Sequence, residues 1–325
     1  MQFWVEFPLF SRLIFIHLLQ SHNYMYLNAN ITTLSPWISM PKHIDSGAIQ
    51  SILRGIQLEQ SEALYLYALM KIYGRGVEKD THSALHFLKK LTARAHANSE
   101  FVLGMLYLHG AEGLAVDTRS ALRHLRSSSL HGNGNAKCAL GAMYNDGIFV
   151  QRDQYKALQL LQEAAQMQNA HAYAHIGMMH EYGRGGLSPN FSEAAKYYEV
   201  GRGHQIAEAI YNLALMKAVG RGCVENIDLA KQLFEEAAAL GHAPSMYRLG
   251  QMLTTLDNGS RRADYLLALS WFRKALFFND SRVHREAEFA VNQITLLYSE
   301  VEKSVMQLEQ LFGTSMHVLV PEELN

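Results

Sequence analysis

The sequence predicts an all-α fold, a right-handed α-solenoid of about six antiparallel helix pairs. Three columns of residues recur every 36 or 37 residues between about residues 62 and 278. The first column holds a small residue, the second a glycine six residues later, and the third an Asp or Asn four residues before an alanine. A period of this length is typical of helical repeat arrays, in which each repeat packs on its neighbours.

Each repeat is predicted to begin with a short apolar helix that carries the small residue. A small side chain lets another helix approach closely. The glycine ends the helix, because glycine adopts the left-handed conformation without steric cost. The small residues are Ala68, Gly104, Gly141, Gly177, Ala214 and Gly250. The turn glycines are Gly74, Gly110, Gly147, Gly183 and Gly220.

A methionine or leucine stands two residues after each small residue. Flexible, polarizable methionines can form an adaptable docking surface, but a column of this kind is more often part of the core. We therefore expect these side chains to be buried. They are Met70, Leu106, Met143, Met179, Met216 and Met252.

The Asp/Asn column predicts the start of a second helix in each repeat, because these residues are good N-caps that stabilise by about 1 kcal/mol each. The caps are Asp80, Asp117, Asp153, Asn190, Asn226 and Asp264. In the fourth repeat Gly201 and Arg202 replace the usual small pair near the helix end. Glycine within a helix costs about 1 kcal/mol relative to alanine, so we expect this helix to end early or bend.

Composition argues against several classes of function. The 29 Lys and Arg residues nearly balance the 30 Asp and Glu residues, so the whole chain carries no strong field of one sign. Nucleic-acid binding usually requires a basic stripe, so we expect no nucleic-acid partner. The two cysteines, Cys138 and Cys223, fall in different repeats and are predicted to be free thiols.

The sequence offers no catalytic or metal-binding constellation. His171 and His175 would share a helix face with His180 nearby, but a zinc site needs a fuller ligand set. No serine lies in a Gly-x-Ser-x-Gly elbow. We predict that the protein is not an enzyme and carries no cofactor or metal.

The ends of the chain remain open to several interpretations. Residues 1–42 contain an apolar segment that is a terminal capping helix, a weak export signal, an interfacial membrane anchor or disordered. Membrane association is expected only through this segment. A cytoplasmic location is slightly favoured, and a periplasmic or secreted one follows if residues 1–40 contain an export signal. Residues 43–61 are predicted to form a partial capping repeat, and residues 279–325 to form capping helices and a tail.

The repeat resembles the Sel-1-like repeat, a relative of the tetratricopeptide repeat. The family pattern is an Ala, then Leu-Gly, a Tyr three residues on, Gly-x-Gly-Val, an Asp, Lys-Ala and a terminal Ala-Ala. Repeat three carries Ala136, Leu140-Gly141, Tyr144, Gly147, Asp153, Lys156-Ala157 and Ala164-Ala165. Repeat one carries Gly74-Arg75-Gly76-Val77, Asp80 and Ala84. The resemblance covers six repeats, about residues 62–278.

The resemblance implies a scaffold or adaptor that binds a protein segment on the concave face of the array. First helices tend to line that face in such solenoids. The position of the family tyrosine differs among repeats, so it is where we expect partner specificity. The candidate partner-binding residues are Lys71, Tyr107, Tyr144, His180 and Lys217. The alternative is a hydrolase of the kind proposed for cysteine-rich relatives of the family.

Overall fold

A computed structural model of the chain describes residues 46–255, 262–278, 280–296 and 299. Throughout these residues the secondary structure is helical, without strands, and Ala111 and Leu114 form an isolated β-bridge. The helices pack in consecutive pairs, which confirms the predicted all-α solenoid. The predicted N-terminal segment, residues 1–42, lies outside the described residues.

The described residues form two compact bodies, one ending at Ile227 and the other beginning at Asp228. The helices of the first body are Ser46–Gln57 (α1), Ser61–Tyr73 (α2), Thr81–Thr92 (α3), Ala97–His109 (α4), Thr118–Leu130 (α5), Gly134–Asp146 (α6), Gln154–Gln166 (α7), Ala170–Tyr182 (α8), Phe191–Gly203 (α9) and Ala207–Val219 (α10). Those from the boundary onward are Ile227–Ala239 (α11), Ala243–Thr255 (α12), Arg262–Phe277 (α13) and 284–296 (α14).

Within the first body, helices that follow each other in the chain also pack together. Repeats one to four are the pairs α2/α3, α4/α5, α6/α7 and α8/α9, and each second helix also packs on the first helix of the next repeat. The first helices of neighbouring repeats touch directly, as α6 does with α8 and α8 with α10. In the second body α12 packs on α13. No helix in the described part of the chain is long and apolar enough to cross a membrane.

Side chains of the Asp/Asn column begin the second helices as predicted. Asp80, Asp117, Asp153 and Asn190 each accept a hydrogen bond from the backbone N–H three residues later, at 3.0 to 3.1 Å. These bonds satisfy donors that the first turn leaves open. The prediction was wrong for Asp264, because α13 begins at Arg262 and places that residue inside its first turn.

The small-residue column is where first and second helices approach most closely. A Cβ added to Gly141 would lie 2.7 Å from Cγ of Leu161, and one added to Gly177 would lie 2.5 Å from Cε1 of Tyr198. Both distances are too short for real contacts, so the large side chains sit where a Cβ would otherwise be. Glycine is therefore required at these positions for packing rather than for backbone conformation.

The methionine column belongs to the core. Met70, Leu106, Met143, Met179 and Met216 are all buried. Met252 of the sixth repeat is half-buried, so the expectation was wrong there. In the other five repeats the column fills the space between helices and is not available as a docking surface.

Helix α9 corrects the expectation for the fourth repeat. It runs from Phe191 to Gly203 and has 13 residues, as do the second helices of repeats two and three, so it does not end early. A Cβ on Gly201 would lie 2.5 Å from Cβ of Ala209. The glycine therefore makes room for α10, and this contact outweighs its low helix propensity.

We expect Gly141→Ala to destabilise the fold, because the added methyl group overlaps Leu161 and forces the two helices apart. The expected loss in free energy of unfolding is about 1–3 kcal/mol. The matched control is Gly203→Ala, where an added Cβ meets nothing within 4 Å. Chemical denaturation measures both variants. Equal unfolding midpoints for the two would contradict this account of the small-residue column.

Candidate functional site

The five candidate residues occupy one repeated structural position, which we call the candidate row. Each lies in the last turn of the first helix of its repeat. In every case its backbone carbonyl accepts a hydrogen bond from the N–H of the Asp or Asn that precedes the second helix, with N···O distances of 2.8 to 2.9 Å. The two halves of the repeat are thus linked at the row. Its members are Lys71, Tyr107, Tyr144, His180 and Lys217.

Two members of the row stack on the second helix of their own repeat. The ring of Tyr107 lies parallel to that of His124, with centroids 5.7 Å apart and an interplanar angle of 1°. His180 stacks on Tyr197 at 5.2 Å and 16°. His124 and Tyr197 each stand seven residues after the N-cap, so the same contact is made twice.

Two further members contact the second helix through charge. The amine of Lys71 is 3.7 Å from a carboxylate oxygen of Asp80 and 5.9 Å from the ring centroid of Tyr67. The amine of Lys156 donates a 3.1 Å hydrogen bond to the hydroxyl of Tyr144 and lies 4.4 Å from its ring centroid. These four side chains of the row are therefore turned toward the second helices.

Accessibility differs along the row. Lys71, Tyr107, His180 and Lys217 are half-buried, whereas Tyr144 is only 8% exposed. The row therefore presents partial surfaces of four side chains, and Lys71, Tyr107 and His180 are held by contacts within their own repeats.

Two members of the row have shifted pKa values. The hydrogen bond from Lys156 lowers the pKa of Tyr144, with a smaller contribution from Arg126, while burial acts in the opposite direction. Burial lowers the pKa of His180, and Glu193 partly opposes the shift. His180 therefore favours the neutral imidazole, which can both donate and accept a hydrogen bond.

Ion pairs between repeats were missed in the sequence. Arg184 and Arg221, the central residues of two Gly-Arg-Gly turns, reach back to the preceding repeat. Arg184 lies 3.7 Å from Asp146, and Arg221 lies 3.6 Å from Glu181. Glu181 also accepts a 2.9 Å hydrogen bond from the buried hydroxyl of Tyr198. The recurring arginine between two glycines was the available signal.

A second set of contacts between repeats joins the residues before the first helices. Asn133 caps α6 and donates a 2.8 Å hydrogen bond to Asn98 of the preceding repeat. Asn169 caps α8 and donates to Asn135 at 2.5 Å. In repeat two His96 fills the same position, and its Nδ1 accepts a 3.3 Å hydrogen bond from the backbone N–H of Ser99. The asparagine before α6 and before α8 was therefore a sign of contact between repeats, whereas the apolar Ile206 stands before α10.

Metal ligands and cysteine thiols are the side chains in the described part of the chain that bear on metal binding or nucleophilic chemistry. The structure brings no three His, Cys, Asp or Glu side chains together as metal ligands in the described ranges. Both cysteines are free, as predicted. Cys138 is fully buried, and burial raises the pKa of its thiol. A buried thiol of this kind is a poor nucleophile, because the reactive form is the thiolate.

Comparison with known families identifies the repeat. The profile described as Sel1 repeat matches six segments of the chain, which are residues 61–96, 97–133, 134–169, 170–200, 207–242 and 243–276.

Curated relatives share only part of their length with the chain. Protein sel-1 homolog 2 of Rattus norvegicus is 35% identical over 102 residues, which are 30% of this chain and 15% of the relative. The Homo sapiens protein of the same name is 34% identical over 103 residues, again 30% of this chain and 15% of the relative. The similarity therefore covers only a small part of these proteins.

Two solved structures share the fold. The Sel1 repeat protein from Oxalobacter formigenes has a TM-score of 0.62 at 24% identity, and the match covers 70% of this chain and 90% of that one. The protective antigen c5321 of uropathogenic Escherichia coli strains, which displays an SLR fold, has a TM-score of 0.54 at 23% identity, with coverage of 76% and 51%.

We expect Glu181→Ala to destabilise the first body by about 2–3 kcal/mol, because it leaves the buried hydroxyl of Tyr198 without its acceptor. The matched control is Glu199→Ala, which removes an exposed carboxylate 3.8 Å from Arg202 and should cost less than about 0.5 kcal/mol. Denaturant titration measures the free energy of unfolding of both variants. A loss in the Glu181 variant no larger than in the control would show that the contact contributes little.

A pH dependence is expected from His175 of α8. It is fully buried, and burial lowers its pKa to about 4 from an ordinary value of 6.5. The unfolded chain therefore binds this proton more readily than the folded one. The free energy of unfolding should fall by about 3 kcal/mol as the pH is lowered from about 6.5 to about 4.

The variant His175→Leu should lose this part of the pH dependence, because leucine does not titrate. Ile176→Val is the control, since it removes a buried methylene and should cost the same at both pH values. Thermal or denaturant unfolding at pH 4.5 and pH 7 gives the comparison. An unchanged pH slope in His175→Leu would refute the assignment.

Proposed function

Because the chain belongs to the Sel1 repeat family, we propose that it is a protein-interaction scaffold, not an enzyme, and that it binds a protein segment along its first helices. Sel1 repeat proteins are generally protein-interaction scaffolds and are typically not catalytic. The main observation in support of binding along the first helices is the candidate row. It has the same backbone position in five consecutive repeats and a different side chain chemistry in most of them.

The residues in the other recurring columns of the repeat have structural roles in packing and helix capping. The small residues make room for the second helices, the methionines fill the core, and the Asp/Asn residues cap helices. The row is the recurring position of the first helix that is occupied by Lys, Tyr or His, depending on the repeat. A binding surface that varies on a constant framework is how repeat proteins distinguish partners.

In this proposal the segment lies on the concave face, which first helices tend to line in such solenoids. The half-buried Lys71, Tyr107, His180 and Lys217 supply charge and hydrogen bonds. Tyr144 is too buried to offer much surface, so its contribution is to hold the amine of Lys156.

A hydrolase is the less supported alternative. It would require a nucleophile with a base within hydrogen-bond reach. Cys138 is inaccessible, and Sγ of Cys223 lies 3.6 Å from the backbone carbonyl of Arg221. Neither cysteine is therefore shown beside a base.

The row is tested by a variant that changes all five residues while keeping their approximate size. Lys71→Gln, Tyr107→Phe, Tyr144→Phe, His180→Gln and Lys217→Gln remove charges and polar contacts but preserve most packing. Wild-type and variant proteins are immobilised, and partners captured from the native cell are quantified by mass spectrometry. We expect partner recovery to fall about tenfold, equivalent to about 1.4 kcal/mol of binding free energy.

The matched control changes five exposed residues on second helices, Ser192, Lys196, Glu199, Gln159 and Gln162, to Ala. Circular dichroism and unfolding midpoints establish that both variants are folded. Equal partner recovery by the row variant and the control would place the binding surface elsewhere. A wild-type protein that captures no specific partner would argue against the scaffold proposal itself.

A further inference from the structure

The exposed sides of α3 and α5 carry basic side chains at matching positions, four of which are Lys or Arg and two of which are His. The residues two, six and nine places after each N-cap face outward in both helices, and all six are exposed. We call this set the cationic face. It consists of His82, His86, Lys89, Arg119, Arg123 and Arg126.

Carboxylates are few at this face, although Asp117, just before α5, interacts with Arg119. Neither α3 nor α5 contains an Asp or Glu, and the two carboxylates just before them, Asp80 and Asp117, are engaged in N-cap hydrogen bonds. Within the part of the chain that the structure describes, Lys89 and Arg123 make no ion pair. By contrast Lys90, one residue from Lys89, pairs with Glu59 at 2.7 Å.

The pKa of His124 is affected by two of the cations of this face. Burial is the main cause that lowers its pKa, the charges of Arg123 and Lys89 lower it further, and the charge of Glu100 acts in the opposite direction. Both cations are close enough to act on one imidazole, so their charges add in the same region.

The charge is confined to repeats one and two. The corresponding positions of α7 carry Tyr155, Gln159 and Gln162, which are uncharged. In α9 the corresponding Lys196 pairs with Glu193. A local cationic face therefore exists in a chain whose formal net charge is −1.

We propose that the cationic face is a docking surface for an acidic segment of a partner protein. Arginine binds carboxylates in a planar, bidentate geometry, and the face offers arginines at three positions of α5. Side chains seven residues apart on a helix are separated by about 10 Å, so a segment with several Asp or Glu residues can contact more than one of them.

Other anionic partners fit the face less well. Single-stranded nucleic acid binds where aromatic rings stack on bases, and the six positions include no Tyr, Phe or Trp. A membrane surface needs a broad apolar face beside the basic side chains. The one large apolar side chain that α3 and α5 expose is Leu130, at the end of α5. An acidic polypeptide requires only the charges and donors that are present.

The test uses the full chain and a fluorescein-labelled peptide of alternating Glu and Ala, with binding followed by fluorescence anisotropy. The face variant is Lys89→Gln, Arg119→Gln, Arg123→Gln. It leaves Arg126 unchanged because that residue contributes to the environment of Tyr144. We expect wild-type protein to bind the peptide, the face variant to bind about tenfold more weakly, and binding to weaken as salt increases.

The charge-matched control removes three exposed cations elsewhere, Arg54→Gln, Lys231→Gln and Arg273→Gln. It should bind the peptide as the wild type does, and a peptide of Gln and Ala should not bind. An equal loss in the control, or equal binding of the Gln peptide, overturns the proposal. So does binding of anionic phosphatidylserine vesicles or of an oligonucleotide by the cationic face when the Glu peptide fails to bind.

The two proposals can fail separately. The cationic face is on second helices and shares no residue with the candidate row, so the five-residue row variant should bind the Glu peptide normally. Loss of peptide binding in the row variant would overturn the assignment to the cationic face, whatever the outcome of the partner capture.

Discussion

The close contact between the two helices of a repeat is the constraint on which the rest of the structure depends. At Gly141 and Gly177 the large side chain of the second helix occupies the place of a Cβ. This approach brings the end of the first helix next to the start of the second. The carbonyl of each row residue can then accept a hydrogen bond from the N-cap residue, and the cap can satisfy the following turn. Packing, capping and the position of the row are consequences of one contact.

Sequence could predict the fold because its determinants are local and repeated. A turn glycine, an N-cap and a small residue each act within one repeat, and six copies make the pattern clear. The ion pair of Arg221 with Glu181 could not be predicted in the same way, because its partners come from different repeats. Gly201 was misjudged because helix propensity was considered without the approach of Ala209.

The position of the candidate row was predictable, but the direction of its side chains was not. Sequence spacing placed the five residues at one recurring point of the first helix. Stacking of Tyr107 on His124 and of His180 on Tyr197 depends on residues that are more than 15 positions away in the chain. The cationic face was hidden for a different reason. Net charge averages over the whole chain, whereas Lys89 and Arg123, from repeats one and two, both act on His124.

The regular spacing of the row also determines the spacing of the contact residues in any segment that binds along it. First helices of neighbouring repeats touch, as α6 and α8 do, and touching helices lie about 8–10 Å apart. An extended polypeptide advances about 3.3 Å per residue. A segment running across the repeats in extended conformation therefore presents every third residue to successive members of the row. The spacing of the helices thus determines that the bound sequence is recognised at every third residue.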